Sequence, residues 1–395
     1  MDQASLRILH IVCASRWAAG NPPQSALIDA LHTQPGLDNR IVLLADDAAL
    51  CSVDNDRVMV IDQREGTLVQ RWKTLPALVA QRPDVVHAHG CAEGPLCMWV
   101  TLRARSTPLH SMHNRIRSNR GGALHRAADI LWNCTHVNVV CDSHALAARL
   151  IPRARSHVSV IEPGIDVQAL DTQAACAAPL DFADDSFQVA FVGPLCDEMR
   201  LDMALATTWL LAQDRPGRFR LHVFGQGETR PHCEAFVQRH DLDASVVFHD
   251  HTPVLAPWLA RMDALLWCGE TQASPAGVLE AMMLGVPVVA HATHDMARLL
   301  GFGAYGTLVH EHAPHAYADS LVALEAHPGR ARERATVTRE YARGHYDISR
   351  VAQRYATLYH TLHAARRSPA PGVCYIQDAT AGRPSSALHP SGRLR

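Results

Sequence analysis

Short, almost continuously apolar runs recur along the chain with room for one helix between them, and this pattern restricts the fold more than any other feature. ILHIV (Ile8–Val12), RIVLLA (Arg40–Ala45), VMVI (Val58–Ile61), DVVHAH (Asp84–His89) and VNVVC (Val137–Cys141) read as strands. Helical patterns such as SALIDALHT and HALAARLI lie between them. A strand apolar on both faces has to be covered on both, which predicts an α/β fold with a parallel sheet between helix layers. The pattern lapses in DTQAACAAPLDFADDS and restarts with FQVAFVG, FRLHVFG, VVFHD, ALLWC and VPVVA. Two Rossmann-like domains in tandem are expected, over 1–175 and 176–345, with the boundary near Ala174–Asp185. Residues 346–367 contain an amphipathic helical pattern, and residues 368–395, rich in Pro, Gly, Ser and Ala without periodicity, read as a disordered tail.

Bulk numbers exclude several classes of function. A formal net charge of -2 over 395 residues provides no global field for nucleic acid, so an anion site has to be local. The 11 cysteines include no CxxC pair, which argues for a reducing compartment and against a disulfide scaffold. No run has the ~18 apolar residues of a membrane span, and MDQASLRILHIV lacks the basic start of a signal peptide. A cytoplasmic location is the expectation. The loop after the first strand, CASRWAAGNPPQS, has no GxGxxG and argues against a nicotinamide site.

The most informative stretch is TQASPAGVLEAMMLGVPVVA, Thr271–Ala290. It follows the strand ALLWC, and ligands of open parallel sheets bind at strand carboxyl ends. Ser274, Pro275, Ala276 and Gly277 are small or rigid and open a helix expected from Ala276 to Leu284, with Gly285 as its stop. The free N–H groups of such a helix start make a seat for a diphosphate. Glu280, on the second turn, could accept two hydrogen bonds from a ribose diol, or be a solvated surface residue.

These segments resemble family 4 of the retaining, GT-B-fold glycosyltransferases (group 1). PDVVHAHG (Pro83–Gly90), IEPGID (Ile161–Asp166), VGPLCDEMRLD (Val192–Asp202), FGQGETR (Phe224–Arg230) and VLEAMMLGVPVVA (Val278–Ala290) match family segments in order and spacing, from about Ile8 to Leu362. The resemblance implies two Rossmann-like domains facing a cleft, with the last helix crossing back to the first domain. It implies transfer of a sugar from a nucleotide-sugar to a glycan or lipid-linked acceptor, with retention and without a metal or other cofactor. Gly193 and Gly225 fall in its nucleotide-sugar loops, and Gly20 and Arg16 in its reduced glycine-rich loop. His113, in SMHNR, matches a histidine near the reacting sugar. Gln272 and Glu280 fall on the two glutamates of its E-x7-E segment, which hold donor sugar and ribose.

The chain also departs from that pattern. The family's basic pair falls on Pro194 and Met199, with Arg200 one residue beyond, and Lys73 is the only lysine of the chain. The glycine pair after the VPVVA strand reads His294–Asp295, and the glutamate that follows reads Arg298. An alternative function is therefore a non-catalytic relative that binds a partner.

Three other features remain open. Arg103, Arg105, Arg115, Arg117, Arg120 and Arg126 fall in a stretch without acids. In the family this stretch borders the acceptor, and it would suit an acidic acceptor or an anionic membrane surface, with Arg115, Arg117 and Arg120 foremost. HAH, HDH and HEH have metal-like spacing but lack a fourth-ligand motif. Trp17 and Trp267 could stack on a ligand or simply pack.

Overall fold

The structure, a computed structural model, describes residues 5–13, 23–45, 57–62, 76–90, 94–112, 138–149, 158–176, 185–249, 254–270 and 275–367. The expected disordered tail, 368–395, lies outside the described residues. Two parallel sheets carry the molecule. The first holds β1 (Leu6–Cys13), β2 (Leu37–Ala45), β3 (Val58–Asp62), β4 (Val85–Ala88), β5 (Thr107–Met112), β6 (Asn138–Cys141) and β7 (Val158–Val160), in the order β3-β2-β1-β4-β5-β6-β7. The second holds β8 (Phe187–Val192), β9 (Phe219–Phe224), β10 (Val246–His249), β11 (Ala264–Trp267), β12 (Val288–His291) and β13 (Thr307–Val309), in the order β10-β9-β8-β11-β12-β13. In both, the order reverses beside the first strand, which opens a crevice at the carboxyl ends.

Seven helices matter for the site: α1 (Pro23–His32), α2 (His144–Arg149), α3 (Leu201–Asp214), α4 (Ala276–Leu284), α5 (His294–Leu299), α6 (Pro328–Tyr346) and α7 (Ile348–Arg367). Helix α4 ends on Gly285 at φ 78°, the left-handed C-terminal position where glycine is least strained.

Sequence pattern misses β5, β7 and β13. β7 and β13 are three residues long, too short to show periodicity. β5 contains Pro108 in an interior strand, paired with Val86 of β4, a position where proline normally argues against a strand.

The apolar stripe of α7 recurs at helical spacing: Ile348, Val351, Ala352, Tyr355, Leu358 and Tyr359 are all buried. They pack with Leu27 and Leu31 of α1 and with Ile8, Val85 and Leu109 of the first sheet. The C-terminal helix thus completes the core of the opposite end of the chain.

Just before the 174–185 stretch, the helix Val167–Ala174 buries Leu170 in the second core. In the compact IEPGID segment ahead of that helix, the Ile165 N–H donates to the Tyr346 carbonyl and the Ile348 N–H to the Ile165 carbonyl, each at 2.9 Å.

Beneath α7 lies a buried polar network. His10 and His87 are register partners on β1 and β4, and His89 follows on the same face. Asn39 donates to the Leu31 carbonyl at 2.9 Å, which turns its Oδ1 toward His10 Nε2 at 3.1 Å. His10 therefore donates from Nε2 and accepts at Nδ1 from His89 Nε2, 3.0 Å away. Burial pushes the His10 pKa down to about 4, so the ring is neutral. His87 bonds Tyr359 Oη at 2.8 Å and Ser111 Oγ at 2.7 Å. The Tyr359→Phe variant removes a buried bond between α7 and the sheet. It is expected to destabilise the protein by about 1–2 kcal/mol, read as a thermal midpoint lower by a few degrees with an unchanged circular dichroism spectrum.

Candidate nucleotide-sugar site

The carboxyl ends of β8, β9 and β11 and the start of α4 converge at the cleft edge of the second half. Two glycines let their backbones approach. A Cβ on Gly225 would lie 1.9 Å from the Gly193 carbonyl oxygen, and one on Gly277 would lie 2.8 Å from Val192 Cγ1. The Gly193 N–H bonds the Phe224 carbonyl at 3.0 Å, tying the β8 and β9 loops together. Gly225 and Gly277 are thus required for packing of the frame, whatever else they contact. Pro275 sits at the N-cap of α4, followed by Ala276 and Gly277, and the first N–H groups of the helix have no acceptor within it.

Met199 and Arg200 divide the work that the sequence left uncertain. Met199 is fully buried, with its methyl group against the Cα of Gly193. Arg200 follows with φ 54°, the left-handed region that favours glycine. That turn aims its guanidinium back toward the corner. Nη1 bonds Glu270 Oε1 at 2.8 Å, and Nε and Nη2 each bond Asp202 at 3.0 Å. Hydrogen bonds to Asp202 and then Glu270 hold the guanidinium firmly charged. Nη1 also lies 3.3 Å from His312 Nε2, while His312 Nδ1 bonds Tyr317 Oη at 2.7 Å. Burial, and then His291 and Arg200 beside it, push the His312 pKa down. Sequence reasoning did not pick out Glu270 or Tyr317 and weighed His312 only for the metal-like spacing of HEH, because only the fold brings these residues to Arg200.

Glu280 is half-buried and has no hydrogen-bond or ion-pair partner among the described residues. Burial pushes its pKa up to about 7.

The cleft between the halves holds about 600 Å³ including its open mouth. Trp267, Glu270 and Pro275 line it from the corner. Thr293, Asp295 and Arg298 line it from β12 and α5, and His144 and Glu162 from the first half. Trp267 is both core and cleft wall, 4% exposed. Asp295 Oδ1 accepts from the Ala145 N–H at 3.0 Å, a direct tie across the cleft. Arg298 lines the cleft and helps to lower the His144 pKa, after the larger effect of burial.

Several expected residues lie outside the described residues: Arg16, Trp17, Gly20, His113, Arg115, Arg117, Arg120, Arg126, Gln272 and Ser274. Arg103 and Arg105 are described, and they do not border the cleft. They precede β5, at the amino end of the sheet, because the stretch that reads as an arginine-rich loop contains the end of a helix and an interior strand. The histidine donor atoms of His10, His87 and His89 lie within 4.8 Å of one another, close enough for a metal, but their rings are engaged with each other and with Asn39, Ser111 and Tyr359.

Family models match both halves: "Glycosyltransferase Family 4" over residues 43–169 and "Glycosyl transferases group 1" over residues 186–327. Among curated relatives, the D-inositol 3-phosphate glycosyltransferase of Thermobispora bispora is 27% identical over 312 residues, 70% of each chain. That of Streptomyces avermitilis is 26% identical over 300 residues, 66% of this chain and 63% of the relative. Among solved structures, Anabaena HepE in complex with UDP and glucose superposes with a TM-score of 0.71 at 17% identity, covering 90% of this chain and all of that one. Sucrose-phosphate synthase of Thermosynechococcus elongatus gives a TM-score of 0.69 at 18% identity, covering 91% of this chain and 100% of that one. The fold is therefore GT-B, and the chain belongs to the family 4, group 1 glycosyltransferases.

Proposed function

We propose that this glycosyltransferase takes its sugar from a nucleoside-diphosphate donor and passes it, with retention, to a hydroxyl of a glycan or lipid-linked acceptor. The observation that carries this reading is the arrangement at Met199–Arg200. The side chain at the family's lysine position is buried, and the cation is supplied one residue later by a guanidinium that reaches the corner at Glu270. A diphosphate leaving group in a partly dry cleft needs such a partner, and a planar guanidinium binds phosphate through two N–H groups at once. In this reading Arg200 exchanges Glu270 for the donor diphosphate, while Ser274, Pro275, Ala276 and Gly277 present the start of α4 to it. Gly193 and Gly225 shape the loops, and Arg16 and Gly20 are assigned to the donor by the resemblance alone. Gln272 and His113 hold the donor sugar or acceptor.

The chemistry is a displacement at the anomeric carbon. Its bond to the diphosphate oxygen breaks, the electron pair leaves with the phosphate, and the acceptor oxygen bonds on the same face. The acceptor proton passes to the departing phosphate. Arg200 and the helix start stabilise the developing negative charge without a metal ion. HepE, whose solved complexes contain UDP and UDP-glucose, makes uridine donors the first to test. The relatives named for D-inositol 3-phosphate add a phosphorylated polyol to the acceptors worth assaying, beside polysaccharide and lipopolysaccharide precursors. Among the described residues no helix is long and apolar enough to cross a membrane. In this reading a lipid-linked acceptor is met peripherally, at the inner face.

The test is a thermal-shift titration with UDP, GDP, ADP and their sugars. One base is expected to raise the midpoint, by an amount equivalent to about 2.7 kcal/mol at a hundredfold excess over Kd. No shift with any of them, in a protein that melts cooperatively, would assign the chain to a non-catalytic, partner-binding role. With the donor identified, Arg200→Ala is expected to lower turnover by roughly a hundredfold or more. Unchanged turnover removes Arg200 from the mechanism.

Glu280 provides a pH signature. Its folded pKa of about 7 lies above the ordinary 4.5, so folding takes up a proton between these values, and stability falls as pH rises through that window. Glu280→Gln is expected to raise the thermal midpoint near pH 8 and to leave it little changed near pH 4. Ribose hydroxyls donate to the ionised carboxylate, so nucleotide affinity should strengthen as pH rises through about 7 in the native protein and stay flat in the variant. Titration calorimetry across that range decides it.

A further inference from the structure

On the amino-terminal edge of the first sheet, away from the cleft, Arg7, Arg82, Arg103, Arg105 and Arg366 line one solvent-open hollow of about 800 Å³ together with Asp84. Their positions follow from topology. Arg7 stands at the start of β1, Arg82 and Asp84 just before β4, and Arg103 and Arg105 just before β5. Arg366 closes the ring from the last turn of α7. The strands are parallel, so this edge is the one opposite the strand ends that form the candidate site.

The charge there is not balanced. Asp84 is the only carboxylate among the described residues lining the hollow, and it is already committed to Arg7: it accepts the Arg7 backbone N–H at 3.0 Å and pairs with the guanidinium at 3.5 Å. Arg82, Arg103, Arg105 and Arg366 have no carboxylate partner among the described residues, and Arg103 lies over the Trp99 ring at 5.3 Å. The hollow thus carries a local excess of positive charge in a protein of net charge -2.

The backbone adds an independent observation. Arg82 and Arg105 have φ of 47° and 53°. Each follows a helical stretch, at the left-handed position that glycine normally fills. Local geometry asks for glycine at both, and both are arginine.

We propose that this hollow is a second anion site, for a compact ligand bearing several phosphate oxygens, separate from the nucleotide-sugar cleft. Guanidinia converging from five points on a concave surface suit clustered phosphate groups, carried either by a soluble phosphorylated compound or by the headgroup of an acidic lipid.

The test uses the full chain, inorganic tripolyphosphate as the soluble probe, and vesicles of phosphatidylcholine with or without phosphatidic acid. The variant is Arg82→Gly with Arg105→Gly, which removes two charges and relieves two strained residues, so folding is not endangered. Calorimetry is expected to show tripolyphosphate binding that weakens steeply with salt and falls at least tenfold in this variant. Binding should persist in Arg200→Ala. Nucleotide-induced thermal shifts should be retained in the double-glycine variant, which separates this site from the cleft. Vesicle binding that needs phosphatidic acid and is lost in the variant identifies the lipid source, and tripolyphosphate binding alone identifies the soluble one. Absence of binding to either probe overturns the proposal, as does tripolyphosphate binding lost in Arg200→Ala but unaffected in the double-glycine variant.

Discussion

The geometry of the cleft depends on one point, where the chain's two passages between the halves meet. Ile165 lies on the outward passage and Tyr346–Ile348 on the return, and they exchange two backbone hydrogen bonds. Gly164 makes this approach feasible: a Cβ there would meet Ile348 Cδ1 and Val351 Cγ2 at 2.9 Å. Any larger residue would push the passages apart and lift α7 from the first core, which its buried stripe completes. Glu162 and Tyr346, on either side of this junction, line the cleft, so the site inherits its shape from the junction. The Asp295–Ala145 bond is a second tie across the same cleft.

A second constraint is electrostatic. Moving a cation by one residue along a loop normally turns its side chain to a different side. Here the displacement is compensated by backbone conformation: Met199 turns inward under Gly193, and the left-handed turn at Arg200 returns the guanidinium to the corner. The strain of a non-glycine residue there is of order 1 kcal/mol and is offset by hydrogen bonds to Asp202 and Glu270. The same carboxylates balance the Arg200 charge. In the function proposed above, a diphosphate would replace Glu270 as partner rather than meet a bare charge, which would lower the desolvation cost of binding for the arginine but reduce the net gain from each phosphate contact.

Much of this was legible in the sequence because it rests on local pattern. The strand runs show the two parallel sheets, and the corner helix begins and ends where its proline and glycine place it. What could not be read depends on long-range placement. The meeting of IEPGID with Tyr346–Ile348 was hidden because it joins residues about 180 positions apart through backbone groups alone. His10 carried no signal, since its role exists only through Asn39 and His89, 29 and 79 residues away. The pairing of Arg200 with Glu270 and His312, 70 and 112 residues distant, was equally invisible. The reach of Arg200 depends on a backbone dihedral angle, which no residue spacing encodes.

The arginines of the amino-terminal edge follow the same logic. Arg103 and Arg105 read as part of one basic stretch, but a parallel sheet sends the two ends of each strand to opposite sides of the domain. Residues preceding β5 therefore face away from the cleft, whatever follows β5. Arg7, Arg82 and Arg366, scattered over the length of the chain, are gathered there by β1, β4 and α7. The first domain thus has two chemically different ends. At the carboxyl end the charged cleft residues largely face partners, as Glu162 faces His144 and Arg354. At the amino end only Arg7 has a carboxylate partner among the described residues lining the hollow. Guanidinium keeps its proton at any physiological pH, so the positive charge at this end does not depend on titration.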